Sequence, residues 1–231
     1  MTITCRHTWL SLLLLLTAPM AAMAQDDPEY RMEIGAGAGV QAYQGDFGGG
    51  IFKQLQPIGA VVAKYKPNPR MAWAANLSYG QLKGKSTDIK TWYPDYADAP
   101  IEFSTSLAAL DLSFEYNFWA FGTGREYRGA RPLTPFIAGG LGLCFAKCDE
   151  SVVALEMPLG LGVKYKLADR LNLTVEFLMH LTGSDKLDGV KDPYGIKSSG
   201  LFKNTDCYSS LQVSVTYDMW AKCKTCHNEN E

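Results

Sequence analysis

After residue 24 this chain has no run of about 18 apolar residues, which excludes a membrane-spanning helix over that stretch. It has no P-loop and no G-x-G-x-x-G set between a strand and a helix, so its 22 glycines do not read as a nucleotide cradle. The D-x-[DN]-x-[DN]-G pattern of a calcium loop is missing too, although Asp185, Asp188 and Asp192 fall close together. Nor is there an excess of basic residues: 22 Lys and Arg stand against 24 Asp and Glu. A weakly acidic chain is a poor ligand for nucleic acid, and none is expected as a partner. No helical periodicity of useful length follows the first 24 residues. Disorder is also disfavoured, because 47% of residues are hydrophobic and 12% aromatic.

What is present begins with an export signal. Residues 1–24 run from Arg6 and His7 through the apolar stretch 10–16 to Ala22-Met23-Ala24. Basic start, apolar middle and small-residue end form the pattern of a cleaved secretory peptide. The expected organisation is a signal over 1–24, one folded domain over 25–220 and a tail over 221–231.

The folded part is dominated by a period of two. In 107–118 the even positions from Ala108 are Leu110, Leu112, Phe114, Tyr116 and Phe118, and the odd positions from Ala109 are Asp111, Ser113, Glu115 and Asn117. Residues 171–179 set Leu171, Leu173, Val175, Phe177 and Met179 against Asn172, Thr174 and Glu176, and 211–219 repeat the pattern. One apolar and one polar face are what a strand between two environments requires. Weaker segments at 31–43, 57–66, 71–83, 134–146 and 152–166 bring the strands to eight.

Several strands carry glycine on the polar face: Gly35, Gly37 and Gly39, then Gly140 and Gly142, then Gly160 and Gly162. Glycine weakens a strand, so its repetition on one face predicts crowding there, as in a narrow barrel that admits large side chains such as Lys64, Lys164 and Glu176. Connections alternate in length. Tight turns are expected at 67–69 and 168–169, and long loops at 44–56, 84–103 and 183–207. The connection 119–133 breaks the alternation by being long at the short-turn end.

Alternation does not say which face points inward. A lipocalin-like soluble barrel encloses its apolar face, whereas a membrane barrel exposes it. Full charges on the polar face (Asp111, Glu115, Glu156, Glu176, Lys164) would be costly in a dry ligand cavity but can pair in a polar lumen. Aromatics near strand ends, among them Tyr65, Trp73, Tyr79, Phe118, Trp119, Phe136, Phe145, Tyr165, Tyr208, Tyr217 and Trp220, suit interface girdles. The expected fold is therefore all-β: an eight-stranded antiparallel transmembrane barrel in outer-membrane lipid, with short periplasmic turns, longer external loops and a filled interior. The C-terminal tail is then expected in the periplasm.

The chain also resembles a known family. The residues that carry the likeness are Glu33 to Gly39 followed by Tyr43-Gln44-Gly45-Asp46, Thr134 to Gly142, Pro158 to Leu167, Arg170 to Leu173 with Glu176-Phe177, Asp192-Pro193-Tyr194-Gly195-Ile196-Lys197, Val213 to Tyr217, and Cys223-Lys224-Thr225-Cys226. They resemble the PorG-like outer-membrane barrels of the Bacteroidetes type IX secretion system. The Asp-Pro-Tyr-Gly-Ile-Lys loop and the cysteine tail are the more specific stretches. The resemblance implies a non-enzymatic component of that machine, in contact with periplasmic rings of PorK and PorN type. A stand-alone barrel whose external loops adhere or bind ligand is the alternative.

Cysteine, charge and histidine supply the candidate sites. Cys223-Lys224-Thr225-Cys226-His227 matches the C-x-x-C-H haem motif, but it sits in a short tail with no helical pocket around it. A zinc site there would need a further ligand. No cofactor or metal is expected. An internal disulfide, exposed thiols and a link to a periplasmic partner all remain open for Cys223 and Cys226. Five cysteines persist after the signal, with Cys144, Cys148 and Cys207 placed toward the external side. An odd total in an oxidising envelope predicts one thiol unpaired or bonded between molecules. An external pair drawn from those three would staple loops.

Basic residues gather at the short-turn end: Lys64, Lys66, Arg70, Arg125, Arg128, Arg131, Lys164, Lys166, Arg170, Lys222 and Lys224. A solvated rim and a docking face for an acidic partner are the two readings. Arg125, Arg128, Arg131, Lys222 and Lys224 are the expected docking residues. His180, Ser184 and Asp185 suggest hydrolysis only weakly, since no spacing fixes a nucleophile and base. His180 shares the parity of Glu176, which makes it a lumen histidine, and no enzymatic activity is expected.

Overall fold

The computed structural model describes residues 29–45, 53–85, 102–123, 129–147, 151–184, 187 and 206–222. Alternation of apolar and polar residues gives each strand two unlike faces. A sheet built from such strands satisfies both by closing on itself, and closure also removes its edges. Eight strands do so here: β1 (Glu29–Gln44), β2 (Gln56–Asn68), β3 (Met71–Lys85), β4 (Glu102–Asn117), β5 (Leu133–Lys147), β6 (Ser151–Ala168), β7 (Leu171–Thr182) and β8 (Cys207–Lys222). Every neighbouring pair is antiparallel, and β8 pairs with β1 from Cys207 opposite Gln44 to Lys222 opposite Glu29.

The apolar face points outward. Leu77, Leu141, Leu155 and Leu161 are all more than half exposed, while Asp111, Glu115, Asn172 and Thr216 are buried. A lipocalin-like barrel has the opposite arrangement, so the soluble-binder alternative is overturned. An apolar mantle around a polar interior is the membrane-spanning solution, because lipid hydrates no backbone and a closed barrel leaves no strand edge unpaired. Tyr65, Trp73, Tyr79, Phe145 and Tyr165 stand on the outer face. Phe136 and Tyr208 do not: each is 1% exposed inside the barrel, which corrects their expected place in the girdles.

The inward glycines sit where neighbouring strands come too close for a side chain. A Cβ on Gly35 would overlap the Val215 carbonyl across the β1–β8 seam, and one on Gly142 would overlap the Asp111 carboxylate. Outward-facing Gly59 has nothing near its absent Cβ.

The tight turns lie one to two residues later than expected, at Pro69-Arg70 and Asp169-Arg170. Strands β4 and β8 begin five and four residues before their alternating stretches. The polar starts Glu102 to Ser106 and Cys207 to Ser210 pair with β3 and β1, where ladder hydrogen bonds outweigh an imperfect pattern. β8 also runs through Lys222, so its last two residues come from the stretch expected to be tail. The expected signal peptide lies outside the described residues.

Candidate functional site

The interior is filled by charge arranged in layers. Nearest the turn end, Lys66 Nζ on β2 lies 2.7 Å from Glu33 on β1 and 2.7 Å from Asp218 on β8. Thr216 donates a 2.9 Å hydrogen bond to the other Glu33 oxygen. In the next layer Lys64 on β2 and Lys164 on β6 both reach Glu115 on β4, at 2.8 and 2.5 Å. Lys164 also donates to Asn117 Oδ1 at 3.0 Å, and both ammonium groups stand over the Phe136 ring, at 5.7 and 4.7 Å. Phe136 lies inside because it supplies an aromatic face to these two cations.

Three lysines pair with three carboxylates in these two layers, and a fourth buried acid, Glu176, lines the same space as Lys64 and Glu115. A buried charge is tolerated only when paired and hydrogen-bonded, and each of the three lysines and their partners is. Lys64 and Lys164 fill the lumen as their strand parity predicts, and Lys66 joins them there, so none of the three belongs to a basic rim.

Closer to the loop end the composition changes. Asp111 on β4, Glu156 on β6 and His180 on β7 converge, with one ligand-type atom from each within 4.8 Å of the others. His180 Nε2 is 3.1 Å from Ser210 Oγ, and its ring stacks on Tyr208 at 4.2 Å and 5°. Tyr208 donates a 2.7 Å hydrogen bond to Glu156 Oε2. His180 Nε2 is thus engaged by Ser210, and no His180–Ser184 hydrogen bond is present among the described residues. Asp185 lies outside the described residues.

Described residues lie across both mouths. At the turn end residues 118–123 lie across the opening. Phe121 N donates to Pro69 O at 2.9 Å, Thr123 Oγ1 to Asp169 O at 2.6 Å, and Tyr30 N to Thr123 O at 3.3 Å. Lys166 Nζ donates to Gly122 O at 3.0 Å. The connection that broke the length alternation is thus partly a plug, tied to both tight turns and to β1, with Phe121 only 1% exposed. At the loop end, fully buried Leu187 packs with Tyr43, Leu82, Phe103 and Leu107. Thr105 donates to Leu187 O, and Leu187 N to Asp206 Oδ2, each at 2.8 Å.

On the outer rim of the plug, Arg131 is exposed, with its guanidinium 4.7 Å over the Trp119 ring. Arg170 is wedged between Tyr30 and Tyr217, at 4.5 and 4.8 Å. Arg125, Arg128 and Lys224 lie outside the described residues, as does the side chain of Lys222.

Cys144 is a fully buried free thiol facing inward on β5, with Ala109 and Ala154 opposite it on the neighbouring strands. It is not bonded to Cys207 and does not staple loops. Its burial also accounts for an odd thiol without any bond to another molecule, so cysteine parity no longer argues for a partner link. Cys148, Cys223 and Cys226 lie outside the described residues.

Residues 7–228 match the family described as Domain of unknown function (DUF6089). No curated protein sequence matches the chain. Among solved structures, the chain is similar to Neisserial surface protein A (NspA), with a TM-score of 0.52 and 14% identity over 81% of this chain and 97% of that one. It is also similar to Ail, the attachment invasion locus protein of Yersinia pestis, with a TM-score of 0.46 and 10% identity over 84% and 100% of the two chains. At such identities the likeness to NspA is one of fold.

Proposed function

This chain belongs to the DUF6089 family, and we propose that it serves in the outer membrane as a non-enzymatic anchor for a periplasmic secretion assembly. The observation that carries the reading is a lumen packed with paired charge. Two ion-paired layers occupy the lumen toward the turn end, and Phe121 and Leu187 are buried at the two ends. A barrel that passes nothing through its centre acts through its two rims.

The turn end is the better equipped rim. It carries the plug with exposed Trp119 and Arg131, and the paired ends of β1 and β8 emerge there, so the chain continues from that end into the tail. The resemblance to PorG-like barrels supplies the partner class: ring proteins of PorK and PorN type in a type IX secretion system. Arg125, Arg128, Arg131, Lys222 and Lys224 are the proposed docking residues, and Cys223 and Cys226 a proposed second contact. Electrostatic complementarity would steer an acidic partner onto such a rim.

The test is partner capture. Outer membranes are solubilised without reductant, and tagged wild type is compared with a Cys223→Ser/Cys226→Ser variant. Recovery of large periplasmic ring proteins with wild type supports the anchor, and their loss in the variant assigns the contact to the tail. Recovery of no periplasmic partner from either overturns the anchor and leaves a stand-alone barrel working through its external loops.

A further inference from the structure

The cluster of Asp111, Glu156 and His180 is not explained by anchoring. Four of its polar atoms are buried but unsatisfied. Both Asp111 oxygens, Glu156 Oε1 and His180 Nδ1 have no hydrogen-bond partner among the described residues. Buried polar groups are almost always paired, so four orphans in one cluster call for an occupant. No lysine or arginine among the described residues forms a salt bridge with Asp111 or Glu156, in contrast to the two layers nearer the turn end.

Histidine is the informative member. Its Nε2 is engaged by Ser210 Oγ, and Nδ1 faces Asp111 Oδ2 at 3.9 Å and Glu156 Oε2 at 3.8 Å. Both gaps are too long for hydrogen bonds. With Nε2–H donated to Ser210, Nδ1 presents a lone pair to two carboxylates. Three electron-rich groups facing one point repel one another unless a cation or a shared proton stands between them.

We propose that Asp111, Glu156 and His180 bind one divalent transition-metal ion inside the barrel. Tetrahedral ligation at about 2.1 Å sets donors about 3.4 Å apart, so the two gaps to His180 need to close by only about half an ångström. An imidazole with two carboxylates suits zinc or its first-row neighbours, whereas all-oxygen sets suit calcium and magnesium. A cavity of about 10 Å³, lined in part by Asp111, Asn76 and Glu176, borders the cluster. That is room for about one water as a further ligand.

The surroundings are those of a held site. Ser210 fixes the ring through Nε2, while Tyr208 both stacks on that ring and donates to Glu156. Such partners orient ligating side chains. Gly142 is what leaves room for the Asp111 carboxylate. A dication would neutralise the two acids that no lysine reaches and would tie β4, β6 and β7 together from inside.

The test uses the full-length chain without a histidine tag, carrying Cys223→Ser, Cys226→Ser and His227→Ala so that the tail contributes no ligands. Purified barrel is loaded with Zn²⁺, desalted and assayed by mass spectrometry of the metal. The expected result is about one zinc per chain, falling about tenfold or more in His180→Ala and in the isosteric Glu156→Gln. Heat-dependent gel mobility verifies that each variant remains a folded barrel. Co²⁺ is the second probe, because it reads the parent protein alone. A four-coordinate visible spectrum without a thiolate charge-transfer band is expected. No zinc retained by the parent, equal zinc in folded variants, or the spectrum of hydrated Co²⁺ overturns the site and leaves shared protons as what reconciles the two carboxyl groups.

Discussion

Lys164 Nζ stands 2.5 Å from Glu115 Oε2, joining β6 to β4 across the lumen with β5 between them. Glu115 receives Lys64 from β2 as well, so one carboxylate holds two buried cations. Glu115→Gln strands both. Removing one partner from a buried pair costs about 3–5 kcal/mol. Urea unfolding in lipid vesicles, followed by tryptophan fluorescence, is expected to show a loss of that order. The combined Lys64→Met/Glu115→Leu/Lys164→Met/Glu176→Gln variant, which also neutralises the buried Glu176 beside them, is expected to regain most of it. An unchanged unfolding midpoint in Glu115→Gln would refute the role of the layer in stability.

The β1–β8 seam closes the barrel, and Gly35 sits on it against the Val215 carbonyl. Gly35→Val places a branched side chain where backbone already stands. The fraction of protein running as the compact unheated form on gels is expected to fall sharply. Gly59→Ala is the control, since nothing lies within 4 Å of its absent Cβ. Equal folding yields for the two would remove the packing explanation of the glycine pattern.

Phe121 seals the turn mouth and is 1% exposed. Burial of an aromatic side chain at such a site is worth about 3–5 kcal/mol against alanine. Phe121→Ala is expected to lower the unfolding midpoint and to speed amide exchange at Phe121 N and Arg131 N, whose bonds to Pro69 O and Ala120 O hold the plug in place. Exchange rates equal to wild type would mean that the plug is held by its backbone alone.

Docking at the turn end predicts a charge effect. Arg125→Glu/Arg128→Glu/Arg131→Glu is expected to lower recovery of periplasmic partners about tenfold, and raised salt is expected to weaken wild-type recovery in the same direction. Recovery unaffected by both would remove the arginines from the contact.

Much of this fold is written in parity. Strict alternation in β4, β7 and β8 fixes which residues face inward there, Asp111, Glu115, Glu176 and His180 among them, and Glu156 and Lys164 keep the inward parity in β6. Parity read residue by residue also places Phe136 and Tyr208 inside, although aromatic type alone suggests the girdle. The extended strand starts were harder to read because Glu102 to Ser106 and Cys207 to Ser210 are polar-rich, and their pairing depends on the partner strand. The metal-type cluster was not legible as a motif. Asp111, Glu156 and His180 come from strands β4, β6 and β7, and only barrel closure brings them together. The signal available was the inward parity of all three, combined with the lack of a lysine partner for the two acids. The plug left one trace, a long connection at the end where the other turns are tight.

The central claim is that the lumen holds structure and passes no solute, so that the barrel works through its rims. Ion conductance across planar bilayers containing the purified wild-type protein tests it most directly. The account predicts insertion with no resolved current steps under applied voltage in either polarity. Regular, reproducible steps that scale with salt concentration would contradict it.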